Sequence, residues 1–219
     1  MAVVAIIGGQ WGDEGKGKIV DLLAEKANVV VRFSGGDNAG HTVINSYGEF
    51  RLHLVPSGIF YPQVTCIIGN GVVINPEVLL KEIDELQKQK VDTNRLFISD
   101  RAHLIMPYHI LLDGLEEERR GKSAIGTTRK GIGPAFADKI ARLGIRTGDL
   151  LNRNTFLTRL SSVLELKNTI LTKVYGVSPL SLEEVYGKYC HYAEKLAPSI
   201  RETDFIVQNA ASRKEAVLL

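Results

Sequence analysis

The sequence has 219 residues, with 27 basic and 25 acidic side chains, a formal net charge of +2 and 44% apolar residues. This length and composition predict a globular protein with one large domain or two small ones. The balanced charge argues against a dedicated nucleic-acid binder. Two cysteines, Cys66 and Cys190, are too few for a disulfide framework or a zinc cluster. Because the sequence shows neither a membrane-span pattern nor a signal-peptide pattern, we expect a cytoplasmic protein with no membrane or nucleic-acid partner.

Strand and helix signals alternate over residues 1–101. Residues 2–7 and 29–33 are apolar, β-branched runs of the kind found in strands buried on both faces, and glycine clusters follow each run. A helical pattern begins at Ile19. The other predicted elements are a hairpin between 41–44 and 50–55, strands at 65–68 and 96–99, and a helix starting at Asn75-Pro76. This alternation predicts an α/β fold with a mostly parallel central sheet, whose ligands bind at the carboxyl ends of the strands.

The remainder of the chain favours helices. Residues 108–120, 156–173 and 182–196 have helical patterns, so we expect residues 102–210 to be a helical elaboration of the same domain. The apolar run EAVLL ends the sequence, and we expect residues 211–219 to contain the start of a further core strand of an incomplete chain.

The first glycine loop, GGQWGDEGKGK (8–18), has the character of a phosphate-binding loop. Glycines at a strand-to-helix turn let main-chain N–H groups face an anion, and the helix N-terminus favours negative charge. The spacing follows the P-loop pattern, but Ile19 replaces the Ser or Thr that would hold Mg²⁺. Asp13 is therefore a candidate metal ligand, with a helix N-cap as the structural alternative. Lys16 is a candidate phosphate ligand, with a solvated surface lysine as the alternative.

The second glycine loop, SGGDNAGHT (34–42), carries further candidates. Asn38 can read an amide or oxo group, Gly40 exposes a carbonyl, and His41 can donate a proton near neutral pH, although an isolated histidine is more often structural. Two glycine loops that each carry a titratable group predict an acid and a base facing one bound nucleotide.

Five ordered segments resemble one known family. They are QWGDEGKGKIVD, GGDNAGHT, LVPSGI, IGNGVVINP and GTTRKGIGPAFADKIARLGIRTGDL. Together they resemble the adenylosuccinate synthetases over residues 3–150, and more loosely beyond. The resemblance implies an α/β fold with a P-loop-like phosphate loop and a GTP-dependent ligase that joins L-aspartate to IMP with Mg²⁺. It also implies a 6-phosphoryl-IMP intermediate, with adenylosuccinate, GDP and phosphate as products of AMP biosynthesis.

The resemblance also implies site residues. Asp13 matches the general base and a Mg²⁺ ligand, His41 the general acid, and Lys16 a residue near the transferred phosphoryl group. The GTP site implied is Gly12, Asp13, Glu14, Gly15, Lys16, Gly17, Lys18, Gly40, His41 and Thr42. The IMP site implied is Asp13, Glu14, Gly15, Lys16, Asn38, Ala39, Gly40, His41, Thr128 and Arg142. The Gly40 carbonyl matches a second metal ligand, and Arg142 reaches the IMP site of a partner subunit, which implies a homodimer.

Two other functions are alternatives to a working ligase. A GTP-binding switch is disfavoured because the sequence has no N-K-x-D segment and Ile19 takes the P-loop Ser/Thr position. The other alternative is an inactive fragment of the ligase, because family members are substantially longer.

Several other polar residues receive structural interpretations. Arg129 and Lys130 stand where the family pattern has a glycine followed by one basic residue. Two such cations either tighten phosphate binding or are solvated, and we expect them to be solvated. Asp37 is assigned no role, and 116–120 is expected to be a solvated helix face. The histidines at 53, 103, 109 and 191 are interpreted as packing or surface residues.

Overall fold

A computed structural model describes residues 3–9, 15–45 and 47–219, and within these a parallel sheet forms the centre of the fold. Its strands are β1 (Val3–Val4), β2 (Val29–Gly35), β5 (Thr65–Ile74), β6 (Leu96–Ser99), β7 (His103–Leu104), β8 (Ile200–Arg201) and β9 (Val217–Leu218). The order is β1-β9-β2-β5-β6-β8, with β7 alongside the end of β5. Every strand pair in this sheet is parallel. The predicted α/β fold with a mostly parallel sheet is confirmed.

The two faces of the sheet are buried by different partners. Along β2, Val29 and Val31 face a small apolar cluster, whereas Val30 faces the main core, as the two-residue period of a strand requires. Ala210 of helix α7 (Thr203–Ser212) covers the small cluster. Most of the remaining helices cover the main core, whereas Ala135 of helix α4 (Ile132–Ile140) packs with Val73 and Ile105 in a third cluster.

The remaining helices of the described ranges lie between β1 and β8 in chain order, and several are capped by side chains. They are α1 (Lys16–Ala24), α2 (Pro76–Lys88), α3 (Pro107–Arg120), α4 (Ile132–Ile140), α5 (Arg153–Lys173) and α6 (Leu182–Leu196). The Asn75 side chain accepts from the Glu77 and Val78 N–H groups, and Pro76 is the first residue of α2, as the Asn-Pro pair predicts. No helix within the described ranges combines the length and apolar character needed to span a membrane.

The elements differ from the sequence prediction in several places. The first strand is only Val3–Val4 and is about half exposed, where the sequence predicts a buried strand over 2–7, because β1 pairs with β9 alone among the described strands. Strand β5 continues to Ile74, α4 forms between the predicted helical segments 108–120 and 156–173, and α1 exposes much of its apolar side. Leu22 is 70% exposed. Its exposure follows from the seating of α1, which packs through its other side on a 3₁₀ turn (Ser57–Phe60) and on strand β3 (His41–Asn45).

The apolar run EAVLL enters the middle of the sheet. Val217 pairs with both Val3 and Val29, so β9 lies between β1 and β2. The Leu219 N–H donates to the Val4 carbonyl at 2.8 Å, which extends the contact with β1 to the last residue.

Buried charges join three helices in the main core. Asp138 of α4 contacts Lys167 of α5 at 2.5 Å and His109 of α3 at 2.9 Å. The His109 Nδ1 accepts from the Met106 N–H, so its Nε2–H donates to Asp138. One buried carboxylate therefore has a cationic partner and a hydrogen-bond donor, which offsets the desolvation cost of its charge. The packing interpretation of His109 agrees with this arrangement.

Candidate functional site

The first glycine loop leads into α1. Gly15 has a φ of 80°, in the left-handed region, and α1 begins at the next residue, Lys16. A glycine is the residue that tolerates this conformation at the start of a helix. Lys16 and Gly17 are half-buried and Lys18 is exposed. The predicted site residues Gly12, Asp13 and Glu14 lie outside the described residues.

His41 lies against the first turn of α1. A Cβ placed on Gly17 would be 2.8 Å from the His41 Cγ and 2.9 Å from its Cβ, so the backbone of α1 approaches the ring as closely as glycine allows. The His41 Nε2 is buried and has no hydrogen-bond partner among the described residues. Burial lowers the pKa of His41, and the charges of Arg32 and His53 lower it further. His41 therefore places a ring nitrogen that has no partner among the described residues beside the N-terminus of α1.

Arg32 ties the second glycine loop to the hairpin of β3 and β4 (Gly48–Leu52). Its guanidinium donates to the Gly36 carbonyl at 2.5 Å and to the His53 carbonyl. The His53 ring lies beneath Gly40, where a Cβ would be 2.6 Å from the ring, and its Nδ1 is 3.3 Å from the Ala39 carbonyl. The His53 ring therefore packs against this segment on one side, while residues 38–40 remain exposed and accessible to a ligand. Thr42, the remaining predicted GTP ligand of this loop, is also exposed.

A buried carboxylate fixes the segment that carries His53. Glu82 of α2 accepts the main-chain N–H groups of His53, Leu54 and Val55, the last at 3.0 Å. Burial raises the pKa of Glu82, while these three donors oppose that rise. Because N–H groups of a buried turn need acceptors, Glu82 replaces the partners that a regular strand would supply.

The register of β2 against β5 changes where the second glycine loop starts. The pairing shifts between Arg32 and Ser34, and a Cβ on Gly71 would collide with the Phe33 carbonyl. Gly71, the second glycine of the segment IGNG, is required there because the backbone of β2 lies too close for a side chain.

Helix α3 binds a third glycine-rich segment, GTTRKGIGPA (126–135). Glu117 accepts from the N–H groups of Ile125 and Gly126 at 3.1 and 2.8 Å, and Asp113 accepts from the Gly131 N–H at 2.8 Å. The expectation that 116–120 is a solvated face is wrong for Glu117, which is buried because it binds this segment. Thr128, the predicted IMP-phosphate ligand, is exposed within the segment that these carboxylates hold.

Arg142 lies at the end of α4, away from these anchored segments. It is exposed and has a φ of 63°. Its side chain makes no hydrogen bond or ion pair with any residue that the structure describes.

The fit of a divalent cation depends on residues of both glycine loops. Within the described ranges, no group of three His, Cys, Asp or Glu side chains could hold a metal ion. Gly40, the predicted carbonyl ligand, is exposed at the loop surface. Carbonyl and carboxylate oxygens are the ligands that Mg²⁺ accepts, and it keeps several waters and binds substrate phosphates. Gly40 thus offers an oxygen donor of a type that Mg²⁺ accepts, while Asp13 lies outside the described residues.

The sequence interpretation assigned no site role to Arg32, Glu82, Asp113 or Glu117, although each of them supports a predicted ligand segment. The signal available for Glu82 was an acidic residue among apolar helix positions, whereas Glu117 lies in a charged run that gives no such signal. That signal does not name the partner, because each carboxylate binds a segment from another part of the chain.

Comparison with known proteins gives one consistent family. A family model described as adenylosuccinate synthetase matches residues 5–219. Adenylosuccinate synthetase from Dehalococcoides mccartyi is 62% identical over 219 residues, covering 100% of this chain and 52% of the relative. The enzyme of the same name from Desulfitobacterium hafniense is 53% identical over 218 residues, with 51% of its length covered. The chain thus spans about half the length of the curated relatives it matches.

Solved structures agree with these relatives. The structure of fully ligated adenylosuccinate synthetase from Plasmodium falciparum matches with a TM-score of 0.86 and 34% identity, covering 99% of this chain and 50% of that one. Succinoaminodeoxyadenylate synthetase of cyanophage S-2L, bound to dGMP and dATP, matches with a TM-score of 0.56 and 25% identity over 99% of this chain and 49% of that one.

Proposed function

The chain belongs to the adenylosuccinate synthetase family, and we propose that it carries the phosphate loop and catalytic groups of a GTP-dependent ligase. The reaction joins L-aspartate to IMP and gives adenylosuccinate, GDP and phosphate. The observation that carries the proposal is the His41 Nε2, which is buried and unpartnered within the described structure beside the N-terminus of α1. A helix N-terminus attracts phosphate, and the imidazole supplies a directed hydrogen bond there.

The proposed chemistry has two steps. Asp13 takes the N1 proton of IMP, and the C6 oxygen then attacks the γ-phosphorus of GTP, with cleavage of the bond to the β-phosphate oxygen and release of GDP. The amine of L-aspartate next attacks C6, and the phosphate leaves with the former C6 oxygen. The first step is needed because the purine oxygen is a poor leaving group until it is phosphorylated.

The residues of this chain act mainly by positioning and by charge. We assign the GTP phosphates to Gly12–Lys18 and to the segment Gly40–Thr42, with Lys16 near the transferred group. We assign IMP to Asn38–His41 and Thr128. Phosphoryl transfer depends mostly on such placement and on stabilisation of charge. Asp13 and the Gly40 carbonyl would hold Mg²⁺, which supplies neutralisation of phosphate charge when it is bound.

A homodimer is part of the proposal. Arg142 is exposed, occupies the left-handed region and has no partner among the described side chains, so it is available to another subunit. An arginine can bind a phosphate with two parallel hydrogen bonds, which suits the IMP 5′-phosphate of a neighbouring site.

The test is an assay of adenylosuccinate formation with IMP, L-aspartate and GTP, on the protein at the length its gene encodes. We expect Asp13→Ala to abolish product, and His41→Asn to lower kcat by about 10²–10⁴-fold, the range for loss of a general acid. His191→Asn, on an exposed position of α6, is the matched control and should retain full activity. The same assay on the 219-residue chain measures whether this portion is active alone.

Two outcomes would count against the proposal. GTP binding or hydrolysis with no adenylosuccinate, under conditions where all three substrates are present, would favour the switch. Appreciable turnover by Asp13→Ala would remove Asp13 from the role of base.

A further inference from the structure

Lys130 joins the second and third glycine segments. Its Nζ donates to the main-chain carbonyl of Asp37 at 2.5 Å, across 93 residues of sequence. The same Nζ lies 3.9 Å from the Asp37 Oδ2, a looser electrostatic contact. The expectation that Lys130 is solvated is therefore wrong: the side chain is 36% exposed and its charged end is held by the neighbouring loop.

Asp37 is a buried acid at the centre of this contact. It is 1% exposed, and its Oδ1 has no hydrogen-bond partner among the residues described. Burial raises the pKa of Asp37, and the charges of Lys130, His53 and Arg32 oppose that rise. Arg32 also donates to the neighbouring Gly36 carbonyl. Two cations thus bind consecutive carbonyls of the second glycine loop, Gly36 and Asp37, from opposite directions in the sequence.

Packing reinforces the same junction. A Cβ on Gly36 would collide with the Ile132 Cδ1, so the second loop lies directly against the start of α4. Gly131, between Lys130 and Ile132, has a φ of 78° and donates its N–H to the buried Asp113 at 2.8 Å. The backbone at Lys130 is therefore fixed to α3, so the ammonium group reaches the second loop from a fixed position.

We propose that Lys130 is a positioning residue that holds Asn38–His41 in its ligand-binding conformation by binding the Asp37 carbonyl. This inference rests on the proposed function for the identity of the ligand, IMP. The main-chain bond is the essential contact, and the carboxylate of Asp37 contributes through its charge. A hydrogen bond from a charged donor is stronger than a neutral one, so a single lysine can order the loop.

The position of the contact predicts an effect on binding. If the loop is ordered only part of the time, the apparent affinity falls by the fraction of molecules that are competent. Once IMP is bound, the loop is ordered by its ligand and the chemical step proceeds nearly as before. Loss of the contact therefore raises the KM for IMP more than it lowers kcat.

The experiment compares three variants in the protein at the length its gene encodes. Lys130→Met keeps the length of the side chain without its charge, and we expect the KM for IMP to rise about tenfold, the equivalent of about 1.4 kcal/mol, with kcat changed less than about threefold. Lys130→Arg restores a cation and should stay within about threefold of wild type. Asp37→Asn keeps the main-chain acceptor, so its effect should be smaller than that of Lys130→Met.

Hydrogen exchange measures the loop without using the reaction. Peptides covering residues 35–42 should exchange faster in Lys130→Met than in wild type, because the hydrogen bond from Lys130 no longer holds the loop. The control is Lys188→Met, which removes a lysine paired with Glu77 at 2.9 Å and touches neither loop. This control should leave both the exchange of residues 35–42 and the KM unchanged.

The outcomes separate this inference from the proposed function. Unchanged exchange at residues 35–42 in Lys130→Met overturns the positioning role, and so does a fall in kcat with constant KM, which would mean direct participation in the reaction. An equal or larger effect of Asp37→Asn overturns the main-chain contact as the essential one. If wild type makes no adenylosuccinate, the proposed function fails, and hydrogen exchange alone then decides the role of Lys130.

Discussion

The contact between Gly17 and His41 sets two effects of one methyl group against each other. Alanine favours a helix over glycine by up to about 1 kcal/mol, so Gly17→Ala should stabilise α1 on propensity alone. The new Cβ, however, would lie 2.8 Å from the His41 Cγ and 2.9 Å from its Cβ. Rotation of the His41 ring does not move the His41 Cβ away from the new methyl group, so the backbone of β3 or α1 must shift.

Overpacking of this kind costs about 1–3 kcal/mol, which exceeds the gain in propensity. We expect Gly17→Ala to lower the free energy of unfolding by up to about 2 kcal/mol, the net of these two effects. Gly114→Ala is the matched control, because Gly114 lies within α3 and a Cβ there would have no described atom within 4 Å beyond its own helix. That variant should raise the free energy of unfolding by about 0.5–1 kcal/mol.

Chemical denaturation of both variants, at the protein length that the gene encodes, gives the two signs. Product formation is then measured at a temperature where both variants are folded, and a displaced His41 should reduce kcat by up to about 10²-fold in Gly17→Ala alone. A stabilised Gly17→Ala with full activity would refute the close seating of α1 on His41.

Two further predictions concern pH and assembly. Burial lowers the pKa of His103 from 6.5 to about 4, with nearby cations adding to the shift. The unfolded chain therefore takes up a proton at this position at a higher pH than the folded protein does. The stability that His103 contributes is fully present above pH 6.5, and the free energy of unfolding falls by about 1–2 kcal/mol as the pH falls toward 4, after allowance for solvent screening. His103→Asn should flatten this part of the stability–pH curve in denaturant titrations, while His191→Asn leaves it unchanged. For assembly, Arg142→Leu and Asp13→Ala should each be inactive, and mixing them after subunit exchange should restore about a quarter of the sites if a dimer shares its active sites. Mixtures without recovered activity would contradict the sharing of Arg142 between subunits.

The supports of the candidate site show where sequence reasoning stops. The glycine loops were recognised from their composition, because the conformations that glycine permits, such as tight turns, are a local property of the chain. Glu82 binds N–H groups 27–29 residues earlier in the chain, and Lys130 binds a carbonyl 93 residues away. No local pattern specifies those partners, since many surface carboxylates and lysines have the same sequence surroundings.

The sequence by itself determined the α/β class and the resemblance to one family, and it predicts the phosphate-loop character of residues 8–18, because periodicity and glycine spacing are local properties. The tertiary structure decided the fate of EAVLL: Val217 and Leu218 pair with strands that begin some 190–215 residues earlier. It also decided that α1 meets His41 through a glycine and that Lys130 holds the second loop. These contacts depend on how distant segments cross the edge of the sheet, and that geometry exists only after the chain has folded.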